Sequence, residues 1–267
     1  MNLKRILTGV IGLPIVALIL IFGNIYLIDI IFSIVAIIAI HEYFNAFSKK
    51  NKPVKWIGYL MCIIIAFLHI IPMQYLLYVL PISLFCIIAI LFFNVIISNM
   101  KITVTDIIIT FFGICYITLF LSFIPLLYGI ENGKYLIWFI LIAAWGTDTS
   151  AYFVGCKFGK HKFTQVSPKK SIEGCIGGIA GAVIIALIYA FFLNKYVNIG
   201  ISYIGIAPIV ALLSALSQIG DLSASTIKRS VEIKDFGNIF PGHGGMLDRI
   251  DSIIFIAPFA YFLLMLI

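Results

Sequence analysis

Residues 25–47 read IYLIDIIFSIVAIIAIHEYFNAF, an apolar run whose ionisable members are Asp29, His41 and Glu42. A bilayer core about 30 Å thick takes roughly 20 apolar residues per helix, so this run is long enough to cross it. Outward from it, polar residues and Pro or Gly punctuation divide the chain into similar stretches at 6–23, 56–72, 75–97, 106–128, 134–155, 175–194, 201–220 and 250–267. The expected fold is all-α, a polytopic integral membrane protein with about nine transmembrane helices. Residues 1–133 would supply N-terminal transmembrane helices as a lipid-facing scaffold, and residues 134–267 a catalytic transmembrane region. The first stretch follows Lys4 and Arg5 and runs into the second without a small-residue cleavage site, so it reads as a signal anchor.

Composition agrees with this reading. Hydrophobic residues make up 63% of the 267 and charged residues 11%, with a mean hydropathy of +1.16. Soluble domains carry about 45–50% and 25% respectively, so a soluble surface, a disordered chain or a disulfide scaffold is excluded. Five cysteines lie far apart with no CxxC pair, which argues against a zinc site or a thiol redox pair. The net charge of +7 fits loops facing anionic lipid better than a nucleic-acid surface, and no nucleic-acid partner is expected. With a cytoplasmic N-terminus, nine spans put 16 of the 18 Lys and Arg on the cytoplasmic side, leaving only Lys134 and Lys195 outside. That bias sets the expected orientation: a multi-pass plasma-membrane protein whose active site faces the cytoplasm.

Polar residues are sparse before Lys134. His41 and Glu42 lie in the cytoplasmic half of the second span, where an ionisable group is either functional or paired with a neighbouring helix. Asp29 and Asp106 sit at loop edges and are expected to be solvated, and His69 to pack at the interface. Three constellations follow. In WGTDTSAYFVGCKFGKHK (residues 145–162), Asp148, Tyr152 and Gly155 fall at i, i+4 and i+7 on one helix face. An unpaired Asp in a membrane helix costs on the order of 2.5–3.5 kcal/mol, so its presence needs an offsetting role. In SPKKSIEGCIGG (residues 167–178), Lys169 and Lys170 offer positive charge, and Ser171, Glu173 and Gly174 read as a capped helix start. In the third, Asp221, Ser225 and Lys228 share a face if their helix continues past the membrane. It leads to PGHGG (residues 241–245), whose glycines permit positive φ and close backbone approach, and then to Asp248, Arg249 and Asp251.

Carboxylates at such density repel, by about 4 kcal/mol for two charges 4 Å apart at an effective dielectric of 20, and call for a cation. Hard oxygen ligands without cysteine favour Mg²⁺, which bridges Asp221, Asp248 and nearby Asp148 or Asp251 to a polyphosphate. Lys169, Lys170, Lys228, Arg229 and Lys234 can then hold phosphate oxygens, Arg249 can fork onto two, and Gly244 and Gly245 can donate N–H groups. This equipment suits Mg²⁺-dependent phosphoryl or nucleotidyl transfer between a lipid and a soluble reactant.

The run S-x-x-K-R-x4-K-D-x-G-x3-P-G-H-G-G-x-x-D-R-x-D, from Ser225 to Asp251, resembles the signature of the phosphatidate cytidylyltransferase (CDP-diacylglycerol synthase) family. D-T-S-A-Y-x-x-G from Asp148 and S-P-K-K-S-x-E-G from Ser167 resemble that family's other segments, and Glu42-Tyr43 its E-Y pair. The resemblance implies that CTP and phosphatidic acid give CDP-diacylglycerol and pyrophosphate in phospholipid biosynthesis, with Mg²⁺ and a monovalent cation such as K⁺. It implies Asp221, Ser225, Asp248 and Asp251 as metal-site residues. Asp221, Asp248, Lys228 and His243 would be the catalytic set, His243 as a phosphate or transition-state contact, while Asp148 and Tyr152 would line the substrate. Two alternatives remain open: a CTP-dependent polyisoprenol kinase, which would release CDP, and a membrane transporter for an anionic substrate. No oligomeric state is set, a homodimer being one option.

Overall fold

The computed structural model describes residues 3–70, 73–164, 166–168, 170–240, 242 and 244–266. Its elements are helical in order: α1 Leu3–Phe22, α2 Ile25–Phe47, α3 Lys55–Ile65, α4 Met73–Ile97, α5 Val104–Gly113, α6 Phe120–Gly129, α7 Gly133–Leu141, α8 Thr147–Phe158, α9 Ile172–Tyr196, α10 Tyr203–Ser230 and α11 Leu247–Leu264. A 3₁₀ turn, Leu68–Ile70, follows α3, and π-helical segments Ile114–Leu119 and Ile142–Gly146 join α5 to α6 and α7 to α8. No strand occurs among the described residues, so the all-α expectation holds. Among the described residues, five helical stretches are long and apolar enough to cross a membrane: Ile25–Phe47, Val104–Gly129, Gly133–Phe158, Ile172–Tyr196 and Tyr203–Ser230.

The chain forms two compact units, Met1–Leu126 with Val231–Arg249, and Leu127–Ser230 with Ile250–Ile267. In the first, α2 is the central element. Asn24 caps its start by accepting the Leu27 N–H at 2.8 Å, and Ile28, Ala36, Ile40 and Phe44 are fully buried. The expectation that Asp29 and Asp106 are solvated is overturned, because both are buried. Donors from neighbouring turns make that burial tolerable. Asp29 accepts the His69 backbone N–H at 3.2 Å and lies 2.8 Å from its Nδ1, so His69 is a partner rather than interfacial packing. Asp106 closes a capping box with Thr103 and also accepts the Lys52 N–H at 2.7 Å.

In the second unit, α9 starts at Ser171, whose hydroxyl accepts the Gly174 N–H at 3.1 Å as the sequence predicts. Gly174, Gly178, Ala182, Ala186 and Ala190 recur every fourth position and are buried, letting α8 and α10 approach closely. Ile176, Ile184, Ile188 and Phe191 of α9 are exposed, as a lipid-facing surface requires. Helix α10 runs on to Ser230, well past its apolar stretch, and so carries Asp221, Ser225 and Lys228 on continuous helix.

Candidate active site

The second unit contains an open cleft of about 460 Å³. Asp148, Tyr152 and Gly155 of α8 line it together, as their i, i+4, i+7 spacing predicts. A π-helical segment sets up this face. Its Ala143 carbonyl accepts the Thr147 hydroxyl at 2.6 Å and the Ser217 hydroxyl at 3.1 Å, and Thr147 is also bonded to Ser214. All three hydroxyls are buried, so they fix the register from which α8 presents Asp148 one residue later.

The loop between α8 and α9 forms the cleft's other wall. Phe163 N–H donates to the Lys170 carbonyl at 3.0 Å and Ile172 N–H to the His161 carbonyl at 2.9 Å. Glu173 ties the loop down by accepting the Lys160 and His161 N–H groups at 3.1 and 3.3 Å. Lys170 is thereby placed in the cleft, where its ammonium pairs with the Asp221 carboxylate of α10. Gln218, one turn earlier on α10, also lines the cleft and donates to the Cys175 carbonyl at 3.2 Å.

Asp251 of α11 is 7% exposed, and the charges it interacts with are Asp221, Lys228 and Asp148. Three aspartates and two lysines of one unit therefore share an electrostatic neighbourhood, although they come from four elements. Among the described residues no three His, Cys, Asp or Glu side chains gather as a complete metal cage.

The signature loop belongs to the first unit. Gly242 and Gly244 have φ of 79° and 83°, the positive values expected of PGHGG. Phe240 N–H donates to the Gly244 carbonyl at 3.0 Å. The Asp248 Oδ2 accepts the Phe236 N–H at 2.8 Å and the Gly245 N–H at 2.9 Å. The Gly245 donor expected for a phosphate thus goes to a carboxylate of the protein itself. Glu42 likewise accepts the Met246 N–H at 3.0 Å through Oε1 and the Leu247 N–H at 2.9 Å through Oε2.

Of the other sequence-predicted residues, Ser225 and Lys228 are half-buried, and Arg229, Lys234 and Arg249 are exposed. Lys169 and His243 lie outside the described residues. Sequence reasoning missed Gln218 and the Thr147, Ser214 and Ser217 hydroxyls. A polar residue three positions before Asp221 in an apolar helix was the available signal for Gln218.

A family model described as "Cytidylyltransferase family" matches residues 3–267. The chain belongs to the cytidylyltransferase family. A phosphatidate cytidylyltransferase of Bacillus subtilis (strain 168) is 34% identical over 98% of this chain and 97% of its own length. Proteins of the same name from Thermotoga maritima and Staphylococcus haemolyticus are 39% and 41% identical, over 56% and 50% of each chain respectively. As a cytidylyltransferase the protein is an enzyme that transfers a nucleotidyl group.

Proposed function

We propose that this cytidylyltransferase joins CTP and phosphatidate to form CDP-diacylglycerol and pyrophosphate at the cytoplasmic face of the plasma membrane. The pairing of Lys170, which lines the cleft, with Asp221 of α10 carries the reading, because it sets an ammonium suited to phosphate beside a carboxylate suited to a cation. The whole-length similarity to a protein named phosphatidate cytidylyltransferase supplies the substrates.

In this reaction a phosphate oxygen of the lipid attacks the α-phosphorus of CTP. The new P–O bond forms, the α–β anhydride bond breaks, and pyrophosphate departs with the electron pair. A phosphate monoester is already anionic near pH 7, its second pKa being about 6, so the attack needs no strong base. Lys170 leaves Asp221 to meet phosphate, with Lys228 and Arg229 on α10 adding positive charge. Asp148 and Tyr152 orient the substrate along the α8 face. Asp221 and Asp251 would hold Mg²⁺, with Ser225 one turn beyond Asp221. When bound, the metal supplies charge neutralisation at the reacting phosphates. Asp248 contributes a charge oriented by the loop amides.

The proposed topology has nine crossings with a cytoplasmic N-terminus. It is supported by the five helices long and apolar enough to cross a membrane among the described residues and by the basic bias of the loops. Cys156 is exposed beside the lysine-rich loop, so an impermeant thiol reagent should reach a variant retaining it alone only from the cytoplasmic side. Labelling from outside sealed cells would reverse the orientation.

The direct test is purified protein with cytidine-labelled CTP, phosphatidate and Mg²⁺. Label should enter a lipid-extractable product, with one pyrophosphate released per turnover. Release of CDP would identify a kinase instead, and absence of turnover would favour a transporter.

A further inference from the structure

Helix α2 carries two buried carboxylates, Asp29 near its start and Glu42 near its end. At about 1.5 Å per residue they stand some 20 Å apart on one rigid rod. Asp29 binds His69, a residue remote in sequence from every cleft and signature position. Glu42, 5% exposed, reaches the signature loop instead and accepts the two consecutive N–H groups that open α11. An anion at that point also opposes the positive end of the helix dipole.

A second, independent observation lies in the loop's glycines. A Cβ added at Gly237 would overlap Glu42 Oε1, and one added at Gly245 would overlap Glu42 Oε2. The carboxylate therefore lies against loop backbone on two sides. Gly245 gives its own N–H to Asp248, so the Glu42 contact and the Asp248 orientation meet in the same few residues.

We propose that Glu42 is a positioning residue for nucleotidyl transfer: it clamps the loop of residues 236–247 and thereby orients Asp248. This rests on the functional reading above. It assigns to the N-terminal helices a part in the reaction, where the sequence left Glu42 open as functional or paired with a neighbouring helix. Both carboxylate oxygens are engaged, so the amide of Gln must turn an NH₂ toward one backbone N–H and lose that bond.

The experiment compares full-length wild type, Glu42→Gln and Asp29→Asn in lipid nanodiscs. Hydrogen exchange is read over residues 236–247, together with unfolding temperature and steady-state kinetics with CTP and phosphatidate. Glu42→Gln should speed exchange in that segment at least tenfold and lower kcat at least tenfold, with KM for phosphatidate changed less than twofold. Asp29→Asn should lower the unfolding temperature while leaving loop exchange and kcat within twofold of wild type. Wild-type exchange or wild-type kcat in Glu42→Gln overturns the proposal, as does an equal kcat loss in Asp29→Asn at equal destabilisation. If Glu42→Gln does not fold, Gly237→Ala replaces it, since its methyl crowds the same carboxylate. Unchanged exchange and kcat in that variant also overturn the clamp. Should wild type itself fail to turn over these substrates, the functional reading fails, while the exchange comparison still decides whether Glu42 holds the loop.

Discussion

In the first unit, Asp29, Glu42, Asp106 and Asp248 each accept backbone N–H groups from a distant turn or loop. In the second, Asp221 pairs with the Lys170 ammonium, and the charges acting on Asp251 are those of Asp221, Lys228 and Asp148. Glu173 and Asp251 depart from that pattern, since Glu173 serves loop amides and Asp251 also accepts the Ser252 N–H at 2.7 Å. All are acids in an apolar chain, yet burial alone does not distinguish them: Asp248 and Asp251 are 8% and 7% exposed. The partner distinguishes them. A backbone amide is a fixed dipole that holds a carboxylate in place, whereas a lysine side chain can swing away and leave the charge to a metal or phosphate.

The largest effect should therefore come from Asp221→Asn. Asparagine keeps the shape but removes the charge that pairs Lys170, so turnover should fall at least a thousandfold, about 4 kcal/mol of barrier, with the unfolding temperature nearly unchanged. Excess Mg²⁺ should recover part of the loss if the defect is weaker metal binding. Pyrophosphate release near the wild-type rate would abolish the contrast between the two units.

Asp248→Asn sharpens the contrast from the other side. One oxygen, Oδ2, accepts both loop N–H groups, so a single amide oxygen can preserve both bonds while the charge disappears. We expect at least a hundredfold loss of turnover and a normal loop-exchange pattern. Full activity would make Asp248 an anchor like its neighbours in the first unit.

Asp106→Asn should have the smallest effect on turnover. Its two oxygens accept from Lys52 and from Thr103, so one donor loses its partner, at a cost of about 1–3 kcal/mol. The unfolding temperature should drop while kcat stays within twofold. A tenfold fall in kcat at unchanged stability would mean that this anchor also serves the reaction.

The five long apolar helices were legible because an apolar run near 20 residues is a local signal, and so were the Ser171 cap and the Asp148–Tyr152–Gly155 face. Pairings were not. Nothing in the local pattern joins Lys170 to Asp221, and Asp29 looked like a loop-edge acid because His69, its donor, lies 40 residues away. Glu42 could be marked as notable only for its charge in a span. Its partners are 204 and 205 residues distant and are backbone groups, which leave no trace in side-chain identity.

That separation of 205 residues has a consequence for synthesis. At about 5–20 residues per second, roughly 10–40 s pass between the making of Glu42 and of the amides that satisfy it. Through that interval the second helix carries a carboxylate whose eventual donors do not yet exist. The nascent chain must leave this acid protonated, hydrated or lent to another partner until α11 begins, so the first unit cannot close before residue 247 is made.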